Sequence, residues 1–264
     1  MPDFERLRAG LDAAVLRYNT PDFIPDDPIS IPHRFSRLQD REIMGFWTAT
    51  LAWGQRKTII KSAEQLLDRM DGVPYDFVLG HAETDRARFL SFKHRTFQPT
   101  DTLYFLEFLQ RYYREHPSLE HAFARHLPSG ASTVEPALTG FHRDFFDHPY
   151  APERTRKHVA TPERGSTCKR LNMFLRWMVR RDAAGVDFGV WTRIRPAQLL
   201  MPLDVHVERV ARRLGLLSRP QADWKAVLEL TANLRQLDPD DPVRYDFALF
   251  GLGVLESLRP GRKF

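Results

Sequence analysis

Cysteine is almost absent from this 264-residue chain, where Cys168 stands alone. One cysteine builds no disulfide framework and cannot supply the thiolates of an iron–sulfur cluster or a cysteine zinc site. Long apolar runs are missing as well; no stretch reaches the roughly 18 residues of a membrane span. The N-terminal MPDFERLRAGLD is charged and amphipathic and lacks the apolar h-region of a signal peptide. Strand-like alternation is nearly absent, and internal repeats and low-complexity tracts are lacking. These absences exclude disulfide scaffolds and membrane-spanning helices, and leave a cytoplasmic protein as the expectation. Apolar content is ordinary, and the length suffices for a sizeable core in one large domain or two packed ones.

Charge is present and unevenly placed. Thirty-nine Lys and Arg against 34 Asp and Glu give a net charge of +5. Between Arg154 and Arg181 nine basic residues (Arg154, Arg156, Lys157, Arg164, Lys169, Arg170, Arg176, Arg180, Arg181) face one acid, Glu163. Such a block attracts a polyanion, although a solvated arginine-rich helix face has the same composition.

The pattern is mostly helical, giving an all-α class. Residues 3–18 read as an amphipathic helix followed by the proline-rich loop TPDFIPDDPISIPHRF. Asp40 is placed to cap the next helix, with Ile43, Phe46, Trp47 and Leu51 on one face, and Gly54 interrupts it. Further helices are expected over 58–70, within 101–127, and near 134–148. The segment 149–165 reads as a loop leading to Lys169. His33 in IPHRF reads as a structural histidine.

Lys169 opens the stretch STCKRLNMFLRWMVRR, where Leu171, Phe174, Leu175 and Met178 follow core spacing. It shares a neighbouring row with Met173, Arg176 and Arg180. Partial desolvation and the positive helix end both favour the neutral amine that a lysine nucleophile needs. Asp204 opens PLDVHVERVARRLGL ahead of an apolar face of Val207, Val210, Ala211 and Leu214. Singly, a surface lysine and a helix cap account for both residues. Capping and catalysis are compatible, because a capping carboxylate is held rigidly and kept ionised. Downstream, Asp241 and Pro242 read as the cap and first position of a last helix. Asp246 sits inside its apolar run and needs a partner, such as Arg244 or an arginine from another helix.

PLDVHVERVARRLGL resembles the Asp-(Val/Thr)-His-Val-x-Arg signature of the helix-hairpin-helix DNA glycosylases, matched here by Asp204, His206, Arg209, Arg213 and Gly215. PERGSTCKR resembles their hairpin, with Pro162, Gly165 and Ser166 as turn formers. AWGQRKTIIKSAEQLL resembles their earlier helix-turn-helix, with Gln55 at the turn. The likeness covers residues 40–70 and 160–255. The degenerate hairpin and the long insert DAAGVDFGVWTRIRPAQLLMP between lysine and aspartate are closer to the archaeal 8-oxoguanine glycosylase branch. The whole chain is also similar to a bacterial family of unassigned function.

The resemblance implies a two-lobed helical glycosylase fold with a degenerate helix-hairpin-helix. Lobe A would span about 40–150 and lobe B about 151–235, with 1–39 and 236–264 packed against them in one unit. It implies Lys169 as Schiff-base nucleophile and Asp204 as the carboxylate beside it. DNA contacts would come from Gln55, Arg56, Arg154, Lys157, Gly165, Ser166, Arg170, Arg176 and His206. Trp53, Met173, Trp177, Phe247 and Phe250 would wall the pocket for a flipped base. No metal ligand set and no iron–sulfur cluster are expected; a monovalent cation at the hairpin is the one ion implied. The expected partner is double-stranded DNA carrying a damaged base, 8-oxoguanine among the candidates. A monomer acting at the bacterial nucleoid, with glycosylase and lyase activity, follows from the same likeness. The alternatives are a non-catalytic helical nucleic-acid-binding protein, or a scaffold whose basic surface meets an acidic protein.

Overall fold

A computed structural model describes residues 4–254. Eleven α-helices follow one another among them: α1 (Phe4–Tyr18), α2 (Leu38–Leu51), α3 (Arg56–Arg69), α4 (Pro74–Gly80), α5 (Pro99–Glu115), α6 (Glu120–Ala124), α7 (Glu135–Phe145), α8 (Lys169–Val179), α9 (Val205–Arg213), α10 (Trp224–Leu237) and α11 (Tyr245–Val254). Short 3-10 turns join several of them. No strand forms among the described residues, and one isolated bridge pairs His94 with Phe97. The class is all-α. No helix among the described residues is long and apolar enough to cross a membrane.

The described chain divides into two compact units, one of residues 4–23, 130–134 and 162–254, the other of 24–129 and 135–161. The division expected at 150/151 therefore falls at 161/162. Residues 1–39 do not act as one appendage, because the chain changes unit after Phe23. The expected start of the first helix at residue 3, and residues 255–264 of the expected C-terminal packing segment, lie outside the described residues.

In the unit of 24–129 and 135–161, α2 is buried at every position from Glu42 to Leu51, not along one face. α3, α4 and the turns at Pro28–Ser30 and Pro32–Arg34 surround it. His33 is half-buried in the second of these turns. Asp40 does not cap α2; Arg37 holds that position, and the Asp40 carboxylate accepts from the Tyr75 amide at 2.8 Å. Buried Glu42 accepts from Tyr113 Oη (2.8 Å), Ser118 Oγ (2.5 Å) and the Leu119 amide (3.1 Å), which tethers the start of α6. Phe46, Trp47, Phe97, Phe105, Phe141 and Phe145 form the aromatic core. The stretch 101–127 breaks into α5 and α6 at Pro117, which denies a helical amide and restricts the residue before it.

In the other unit α11 is central and buried from Tyr245 to Gly253, apart from half-buried Phe250. α1 and α9 pack on it. Glycine permits both approaches: a Cβ on Gly251 would enter the Tyr18 ring, and one on Gly253 would lie 3.0 Å from the His206 carbonyl. Asp12 on α1 accepts from Tyr245 Oη at 3.1 Å and lies 3.3 Å from Arg244. Asp241 precedes a 3-10 turn, Pro242–Arg244, before α11; its side chain makes no capping bond there and pairs with Arg180 instead.

Candidate active site

The α9 signature has a direct structural meaning. Asp204 is the N-cap, and its Oδ1 accepts from the amides of His206 (2.9 Å) and Val207 (3.0 Å). At the other end Gly215 takes φ +71°. The Gly215 amide donates to Arg212 O (3.1 Å) and the Leu216 amide to Ala211 O (2.8 Å), closing the helix in a Schellman motif. Arg209 donates to the Gly253 carbonyl and so ties α9 to α11. The cap leaves Asp204 half-exposed, held by backbone and by the positive end of the helix.

Lys169 is the first residue of α8 and is half-buried. The turn before it is a 3-10 segment, Pro162–Arg164, followed by Gly165 at φ +69°. One short turn thus stands where a helix-hairpin-helix would have its first helix. The Gly165 amide donates to Pro162 O (2.8 Å), so it is already used and not presented to a phosphate. The Gly165 carbonyl accepts from the Trp224 amide (2.9 Å), which ties this turn to the start of α10. Ser166 Oγ accepts from the amide of Cys168, and Cys168 caps α8 in a left-handed conformation with φ +48°. Burial pushes the Arg170 guanidinium down to about 10. No group of three or more His, Cys, Asp or Glu side chains in metal-binding geometry occurs among the described residues.

The same unit holds a buried ionic network. Arg176, expected at a phosphate, is 5 % exposed. It pairs with Asp187 at 3.2 Å and, more closely, with Asp246. Arg180 pairs with Asp182 (2.6 Å), Asp241 (2.8 Å) and Asp187 (3.0 Å). Burial lowers the Arg180 pKa, but the three carboxylates outweigh it and the net shift is upward. Burial pushes the Asp246 carboxyl up to about 6 against the pull of Arg176. The charge of Asp204 pushes in the same direction as burial and that of Lys169 opposes it, so both residues act on this one carboxyl.

Of the proposed pocket residues in this unit, Trp177 and Phe247 are core, at 0 % and 1 % exposed. Phe247 packs under Arg176, whose guanidinium is 4.5 Å from its ring centre, and edge-on to Phe23 at 5.5 Å. Met173 and Phe250 remain half-buried. Phe250 lies 6.2 Å from the His206 ring and 6.4 Å from that of Phe23. Phe23, half-buried at the end of the turn after α1, is an aromatic that sequence reasoning missed. Its only signal was a phenylalanine in a loop of Pro and Asp.

The remaining residues belong to the other unit. Gln55 is the exposed N-cap of α3 and makes no side-chain capping bond. Trp53 is half-buried between His94 (4.9 Å, edge-on) and His158 (5.8 Å, stacked). Gly54, at φ +106°, receives the guanidinium of Arg95, which would collide with any Cβ there. Arg95 is exposed and itself left-handed at φ +55°. Exposed Arg154 donates to the Thr96 carbonyl at 3.1 Å and lies 3.4 Å from buried Asp101. Lys157 is exposed and Arg56 half-buried. The basic block divides between the units, and Arg154, Arg156, Arg176 and Arg180 meet acids inside their own unit.

Residues 27–255 match the family described as "Protein of unknown function (DUF2400)". The chain belongs to that family. Neither the curated proteins nor the solved structures compared with it gave a match.

Proposed function

We propose that this DUF2400 protein is a DNA base-excision glycosylase with lyase activity, using Lys169 as nucleophile and Asp204 as its carboxylate partner. The observation that carries the reading is the cap of α9. A carboxylate held by two backbone amides is fixed in place at the positive end of the helix, as stabilisation of an oxocarbenium-like sugar requires. A half-buried lysine at the head of α8, acting on the same buried Asp246 as Asp204 does, supplies the amine.

The base must first leave the duplex stack, at a cost of a few kcal/mol. The neutral Lys169 amine then attacks the sugar C1′. The bond from C1′ to the base breaks, its electron pair leaves with the base, and the base gains a proton. The attacking nitrogen gives up a proton to Asp204 or to water; the C1′–O4′ bond then breaks with its electron pair going to O4′, which takes up a proton, and loss of a C2′ proton from the resulting imine expels the 3′ phosphate. Met173, Phe250, Phe23 and His206 are the half-buried side chains offered to the base. The other unit, taken by itself, offers Gln55, Arg56, Arg95, Arg154 and Lys157 as contacts for DNA, the basic ones neutralising backbone phosphates. The substrate would be duplex DNA bearing a damaged base such as 8-oxoguanine, and the protein would act as a monomer in the cytoplasm.

A panel of duplexes carrying different lesions, scored together for strand cleavage and borohydride trapping, tests the proposal and names the base. A second reading, a non-catalytic DNA-binding protein, draws on the completeness of the Asp204 cap. DNA binding without any trapped adduct would favour it.

A further inference from the structure

Asp101 in the first turn of α5 is buried, and its carboxylate is shared by several segments of its unit. Oδ2 accepts from the Gln98 amide (2.8 Å) and Oδ1 from Thr155 Oγ1 (2.7 Å). Two side-chain nitrogens then stand at one distance from Oδ2: Arg154 Nη2 and His158 Nε2, each at 3.4 Å. Their surroundings differ. The Arg154 side chain, on the 3-10 turn Glu153–Lys157, is 38 % exposed, whereas that of His158 is 2 % exposed. The same Nη2 of Arg154 donates to the Thr96 carbonyl at 3.1 Å. His158 packs against Trp53 (5.8 Å, stacked) and Phe97 (4.8 Å, edge-on).

One carboxylate oxygen thus serves a guanidinium that is always charged and an imidazole that is charged only when protonated. With His158 neutral, Arg154 is the counter-ion of Asp101. A proton on His158 places a cation in the interior, where an unpaired charge is costly and attraction at a given distance exceeds that near water. Asp101 then balances His158, and the charge of Arg154 is left for an anion from outside. We infer that His158 is a positioning residue of the nucleic-acid surface, whose protonation releases Arg154 from Asp101 to a phosphodiester, so that acid tightens binding there. The inference rests on the phosphate role proposed for Arg154 and adds its regulation. The other titratable groups around His158 are Lys157 beside it in the chain, His94 in edge contact with Trp53 at 4.9 Å, and His142 of α7, bonded to the Val159 carbonyl at 2.7 Å. A purely structural His158 would set stability and leave the contribution of Arg154 to binding independent of pH.

Fluorescence anisotropy of a short undamaged duplex, titrated with the full chain at fixed ionic strength between about pH 5.5 and 8, where imidazoles titrate, tests this. On acidification wild type should gain roughly fivefold more affinity than His158→Gln, the scale of one charge acting near the surface. Arg154→Gln should erase that extra gain, because the proton acts through the guanidinium. A gain that survives Arg154→Gln, or equal gains in wild type and His158→Gln, overturns the inference. Wild type also reports with its histidine in place. The part of its fluorescence that Trp53→Phe removes should titrate with His158, and by reciprocity saturating duplex should raise that midpoint. An unmoved midpoint overturns the inference. Inorganic phosphate or poly-glutamate raising the midpoint as far as the duplex does would assign the surface to a free anion or to an acidic protein, and either result overturns the phosphodiester. The duplex carries no lesion, so failure of imine trapping would leave this result standing, and a pH-independent Arg154 would leave the glycosylase reading standing.

Discussion

Arg176 on α8 and Asp246 on α11 form a buried ion pair, and Asp187 takes a second nitrogen of the same guanidinium at 3.2 Å. Arg176→Met removes the cation, leaves buried Asp246 without its partner and leaves Asp187 with Arg180 alone. It should cost about 3–5 kcal/mol, the usual result of breaking a buried pair from one side. Urea denaturation measures it. A loss below about 1 kcal/mol would mean that water reaches the network.

The Asp246 carboxyl sits at about 6, above its ordinary 3.8. The folded state then holds this proton more tightly than the unfolded chain does. The stability the carboxyl contributes is complete below about pH 4 and is lost as the pH rises through about 6. Asp246→Asn removes the dependence. Whatever the constant offset from an unpaired Arg176, wild type should lose stability relative to the variant between pH 4 and 7. Parallel melting curves across that range would refute this.

Asp204 has a capping role and a proposed chemical role, and two substitutions separate them. Asp204→Ala loses both amide contacts and should cost about 1 kcal/mol of stability. Asp204→Asn keeps a good cap, so the melt should barely move, while base release should slow strongly. Equal base release by wild type and by Asp204→Asn would leave Asp204 a cap alone.

Gly54→Ala should destabilise the unit that contains it. Positive φ costs a residue with a Cβ about 1–2 kcal/mol, and the new Cβ meets the Arg95 guanidinium. Arg95→Ala in the Gly54→Ala background should recover the steric part but not the backbone part. The single Arg95→Ala change should weaken DNA binding and flatten its salt dependence by about one charge. A salt titration checks this.

What could be read from the sequence depended on range. The Asp204 cap, the end of α9 at Gly215 and the helix opened by Lys169 are written in neighbouring residues, and the structure contains each of them. Asp40 and Asp241 carried the same capping signal. There a distant partner prevailed: the Tyr75 amide for Asp40, and Arg180 for Asp241. Arg176 looked like part of a basic face because its acids, Asp187 and Asp246, lie 11 and 70 residues away. Such pairings have no local signature. Trp177 and Phe247 were offered as pocket walls because helical spacing does not separate an aromatic beside a cavity from one in a core. The contact of Arg95 with Gly54 spans two segments whose spacing follows no helical period.

The most direct test of the central claim is borohydride trapping on duplex DNA containing an abasic site or a lesion from the panel, comparing wild type with Lys169→Gln. The account predicts a covalent adduct with wild type, and none with Lys169→Gln although that variant still binds the DNA. An adduct that survives Lys169→Gln would contradict the assignment of the nucleophile. Binding by wild type with no adduct on any substrate would contradict the enzyme itself.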